Sequence, residues 1–81
     1  MIRPASINDL DAVHRLLEDL EKISFEKKLF EEVFTQNLND KNFHYFVAEI
    51  DNQVVGFISV FTYLALHNCH IVAEIQELII D

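Results

Sequence analysis

Three polar side chains stand where a sequence otherwise reads as a buried strand. Glu74, Gln76 and Glu77 interrupt the run from His70 to Ile80, whose other residues are mostly aliphatic and β-branched. A carboxylate fixed on a strand can take a proton from a bound amine as a general base. Strand alternation puts Glu74, Gln76 and Leu78 on one face, with Glu77 on the other unless a bulge intervenes. The ordinary role for both glutamates is that of paired or solvated carboxylates on a half-covered sheet. Just before them, His67-Asn68-Cys69-His70 offers two imidazoles and a thiol that could ligate a divalent ion, with Glu74 nearby. The spacing matches no zinc set, so a polar connection is expected and no metal site. Nothing in the sequence supports Cys69 as a nucleophile.

The elements that must position these groups follow from periodicity. Ile2-Arg3-Pro4-Ala5 is a short extended piece, and Pro4, lacking an N–H, suits an edge strand. Ser6 can cap a helix with Asp9 in its first turn. Leu10, Val13, Leu16, Leu17, Leu20 and Ile23 then recur at helical spacing, with Asp11, His14, Arg15, Glu18 and Glu21 on the wet side. This predicts a helix over about 7–22. Ser24 can cap a second helix over about 26–38, buried through Leu29, Phe30, Val33, Phe34 and Leu38. Asn39 to Asn42 is a turn cluster. Phe43 to Ile50 and Gln53 to about Tyr63 read as strands joined by a two-residue Asp51-Asn52 hairpin turn, since both residues tolerate positive φ. Gly56 inside the returning strand predicts a bulge or a close backbone approach. The order is β-α-α-β-β-β. The expected class is α+β, an antiparallel meander covered by two helices in one domain spanning 1–81.

Composition narrows the partners. The 81 residues carry a formal net charge of −8 with six Lys and Arg, which opposes binding to nucleic acid or an anionic membrane. A cationic or amine-bearing ligand is compatible. The stretch Val54 to Leu66 is too short and too polar to span a bilayer. A lone cysteine forms no internal disulfide, and Met-Ile-Arg-Pro lacks a signal peptide's apolar core, so the cytoplasm is the expected compartment. Seven phenylalanines and two tyrosines supply core material.

Three segments together carry a resemblance. Ile2-Arg3-Pro4-Ala5-Ser6-Ile7-Asn8-Asp9 matches an I-R-x-A-x-x-x-D opening, and Phe46 to Phe57 a F-V-A-E-x-D-G-x-V-V-G-F hairpin. Ala73 to Ile80 matches a fourth strand that opens a coenzyme-binding motif. In this order the chain resembles the N-terminal half of a GNAT-superfamily N-acetyltransferase. Glu74 to Leu78 and the His-containing connection resemble the aminoalkylphosphonate N-acetyltransferase type. The resemblance implies acetyl-CoA as co-substrate and a small amine as acceptor. It implies Glu74 as the base, with Glu77 as a second candidate, and Leu78, Ile79 and Ile80 as backbone contacts to the pantetheine arm. It also implies Phe25, His70 and Gln76 on the acceptor side. The family's Gly-x-Gly pyrophosphate loop has no counterpart, since Gly56 is the only glycine. The chain is therefore expected to be the N-terminal half of such a domain and inactive alone. The alternative is an interaction protein that forms a homo-oligomer, or pairs with a missing C-terminal half, through its last strand.

Overall fold

Short-range chemistry starts the first helix. In the computed structural model, which describes residues 1–22, 24–66 and 69–81, Ser6 and Asp9 form a reciprocal capping box. The Asp9 carboxylate accepts from the Ser6 N–H at 2.8 Å, and the Ser6 hydroxyl accepts from the Asn8 N–H. The first turn, Ile7–Asp9, is a tight 3-10 turn, and α1 (Leu10–Glu21) continues from it. A second short turn of chain leads to α2 (Lys27–Leu38), whose cap position is Glu26 without a side-chain cap bond. Ser24 therefore does not cap: it lies two residues too early, on the exposed connection.

The strands are β1 (Ile2–Pro4), β2 (Phe43–Ile50), β3 (Gln53–Ala65) and β4 (His70–Ile80). They form one antiparallel sheet in the order β1-β2-β3-β4, so Pro4 is on an edge strand, where a missing N–H is tolerated. Asp51 and Asn52 both have positive φ, 52° and 64°, as a two-residue turn matched to strand twist requires. The β-α-α-β-β-β order and the α+β class are as expected from the sequence.

Two bulges interrupt the pairing. Val55 is an extra residue in β3, between the Ala48–Gly56 and Glu49–Val54 pairs. Gln76 is an extra residue in β4, between the Ser59–Glu77 and Val60–Ile75 pairs. Gly56 fits the close approach as well, because a Cβ there would lie 3.2 Å from the Ile79 carbonyl oxygen and 3.3 Å from the Ala48 Cβ.

Both helices cover the same face of the sheet. The core is Val13, Leu16 and Leu17 of α1, Phe34 of α2, and Val47 and Phe57 of the sheet. Only part of each helical stripe is buried. Leu20 is exposed, and so are Leu29 and Val33, because α2 stands away from the sheet and these side chains border a cavity. His14 departs from its expected wet position. Its ring lies edge-on to Phe30 at 4.8 Å and near Phe25, so the aromatic side of α2 draws it inward. Among the described residues no helix covers the opposite sheet face, which exposes Leu78 and Ile80.

Candidate functional site

The cavity lies between the helices and the sheet, with a volume of about 470 Å³. Its walls are aromatic. Phe30 stacks on Phe34 and Phe34 on Tyr45, with Phe57 edge-on to Tyr45 at 5.2 Å. Phe25 and Phe43 complete the lining from the interhelical connection and from β2. Polar groups enter from two sides: Ser59, Gln76 and Glu77 from β3 and β4, and Asn37, Glu21 and Glu26 from the helical side.

The bulge at Gln76 decides which β4 side chains face this space. Residues paired across an antiparallel ladder share a face. Glu77 pairs with Ser59 and Glu74 with Phe61, and Ser59 and Phe61 are two residues apart on β3. Both glutamates are thereby turned to the helix side, where regular alternation would have separated them. Glu77 is half-buried and lines the cavity with Gln76. Glu74 lies further out on the same face. Its carboxylate accepts from the Tyr63 hydroxyl at 3.3 Å and from Gln76 Nε2 at 3.5 Å.

Electrostatics reflect this arrangement. Burial pushes the Tyr45 phenol up, against the Asn37 amide, which donates to it at 2.7 Å, and the Glu77 charge adds to the rise. The Tyr63 phenol is also raised, first by the charge of Glu74 and then by burial. Ser59 is 1 % exposed, and its hydroxyl has no hydrogen-bond partner among the described residues although it borders the cavity.

The expected site residues therefore divide. Phe25, Gln76 and Glu77 meet at the cavity, and Glu74 adjoins it. Phe25 is anchored by its own N–H, which donates to Glu18 Oε2 at 2.9 Å. His70 pairs with Ala65 at the start of β4, remote from the cavity lining. The Asp81 N–H donates to the Val55 carbonyl, so by ladder alternation the Ile79 amide faces β3 while those of Leu78 and Ile80 face the outer edge. His67 and Asn68 lie outside the described residues. Ser59, Tyr45, Asn37 and Tyr63 had not been singled out in sequence. Ser59 alone left a signal there, as a hydroxyl in the apolar run Val54 to Phe61.

The model of the acetyltransferase (GNAT) family matches residues 10–81. The chain belongs to this family. It is 37% identical over 79 residues to the aminoalkylphosphonate N-acetyltransferase of Salmonella typhimurium, covering 98% of this chain and 51% of that protein. It thus spans about half the length of the curated relative it matches. An aminoglycoside acetyltransferase from an uncultured soil metagenomic sample superposes with a TM-score of 0.78 at 26% identity, over 100% of this chain and 55% of its own. An integron cassette protein from a salt-marsh metagenome shares the fold, with a TM-score of 0.87 at 13% identity, over 98% and 55% of the two chains.

Proposed function

We propose that this chain forms the acceptor side of an N-acetyltransferase domain that moves acetyl from acetyl-CoA to the primary amine of a small molecule. The observation that carries the reading is the bulge at Gln76, which directs Glu77 and Glu74 to one face beside the cavity of a GNAT chain. Acetyl-CoA supplies the thioester when bound. The outward amides of Leu78 and Ile80 suit its pantetheine arm, since a strand edge offers unpaired N–H and C=O groups to an extended amide chain. Glu77 and Glu74 attract the ammonium group, and one of them, Glu74 first and Glu77 as the second candidate, takes its proton and leaves the neutral amine as nucleophile. Phe25 walls the acceptor, and the Gln76 amide orients it. The family's pyrophosphate loop belongs to the other half of the domain, and the cytoplasm is the proposed compartment.

The test is thiol release from acetyl-CoA with a panel of primary amines, using the 81-residue chain alone and together with the C-terminal half of the Salmonella typhimurium relative. No turnover is expected alone. Turnover is expected in the reassembled domain, lowered by about 10²-fold or more by Glu77→Gln or Glu74→Gln. Turnover by the chain alone would remove the half-domain part of the reading. Silence of every reassembled form would remove the transferase. A second reading, a binding module that pairs its last strand with another chain, is favoured by one observation: β4 is an edge of the sheet.

A further inference from the structure

The cavity's chemistry identifies a narrower ligand than "a small amine". We infer that it takes a primary ammonium carried on an apolar or aromatic body, and that it disfavours a substrate bearing a phosphonate or other anionic group. This rests on the acceptor role proposed above and concerns the class of acceptor.

Charge is the first reason. Three carboxylates, Glu21, Glu26 and Glu77, border the space, and no lysine or arginine does so among the described residues. A phosphonate inside would meet like charge and no counter-ion, while an ammonium meets the opposite charge, from half-buried Glu77 and from exposed Glu21 and Glu26 at the rim. The aromatic walls are the second. They offer a ligand's carbon skeleton apolar surface to bury, and ring faces attract a cation. A volume of about 470 Å³ is within the usual range of small-molecule sites. The third reason is independent of both. The Ser59 hydroxyl is buried without a partner among the described residues, which is costly unless something in the cavity bonds to it. Ser59 and Glu77 are cross-strand partners, so one ammonium group could donate to both.

The test titrates the 81-residue chain, with no acetyl donor present, against phenethylamine, its neutral counterpart phenethyl alcohol, and 2-aminoethylphosphonate. Calorimetry reads affinity and amide NMR shifts read location. Phenethylamine is expected to bind about tenfold more tightly than either competitor, the worth of one charge-assisted contact. Its shifts should centre on Phe25, Phe34 and Ser59. Glu77→Gln should abolish the preference for amine over alcohol. Glu31→Gln, the same charge change on an exposed α2 position, should keep it. Equal binding of amine and alcohol by the unaltered chain, binding of the phosphonate as tight as that of the amine, shifts elsewhere, or no binding at all would each overturn the inference. Because binding is read without acetyl transfer, phenethylamine binding by the chain together with silence of every reassembled form would sink the transferase reading and leave this one standing.

Discussion

Asp9 joins the sheet to the first helix. The Arg3 guanidinium donates to both of its carboxylate oxygens at 2.9 Å, and the Ser6 N–H donates to one of them. The Arg3 hydrogen bonds are the main reason its carboxyl is held below the usual range, against burial, which raises it. Such a group adds stability that is fully present above the unfolded carboxylate pKa of about 3.9 and is lost as pH falls through the lower folded value. Asp9→Asn should therefore destabilise the fold at neutral pH by about 1–2 kcal/mol, from cap and pair bonds together. The gap between the two proteins should narrow in acid. Urea unfolding at pH 7 and pH 3 checks this, and an equal loss at both would contradict it. This residue's role was legible because a capping box depends on neighbours three positions apart. Ser59 was not legible as a site residue, because a lone hydroxyl in an apolar strand does not reveal what it faces.

At the scale of elements, the β3–β4 pairing decides both packing and chemistry. Adding a Cβ at Gly56 would press on the Ile79 carbonyl oxygen and the Ala48 Cβ, both attached directly to the backbone and slow to yield. Gly→Ala gains about 0.4–1 kcal/mol by restricting the unfolded chain, but overpacking costs about 1–3 kcal/mol. The clash should win, so Gly56→Ala is expected to lower the urea midpoint and broaden the amide signals of Leu78 to Ile80. A raised midpoint would show that β4 can shift freely. The Asp51-Asn52 turn and the tight spot at Gly56 were readable from residue type alone. The bulge at Gln76 was not. Which β4 residue is extra depends on where β4 meets β3, and nothing within β4's own alternation records that. The cavity was hidden for a similar reason: Leu29 and Val33 fit a buried helical stripe, yet the stand-off of α2 leaves them at its rim.

The whole molecule is more open than its size predicts. It exposes 5787 Å², where a chain of 9.5 kDa is expected to show about 5,000 Å². Its radius of gyration is 13.5 Å, against about 12 Å for a typical domain of this length. The excess has an address: among the described residues no helix covers one sheet face, and on it Leu78 is 54% and Ile80 74% exposed, along the free edge of β4. Apolar surface of this kind favours association, and an unpaired strand edge gives it direction. The net charge of −8 opposes association between copies, and Glu74, Glu77 and Asp81 put some of that charge on or beside β4 itself. The balance depends on screening, whose range falls from about 30 Å at 0.01 M salt to about 3 Å at 1 M. Sedimentation should therefore find a monomer at low salt and a growing dimer fraction at high salt. Leu78→Lys with Ile80→Lys should keep the chain monomeric throughout, since it removes the apolar strip while leaving the β4 backbone edge in place. Dimerisation of that variant at high salt would assign the contact to the strand edge alone, and a monomer at every salt concentration in the unaltered chain would mean that charge prevails even when screened.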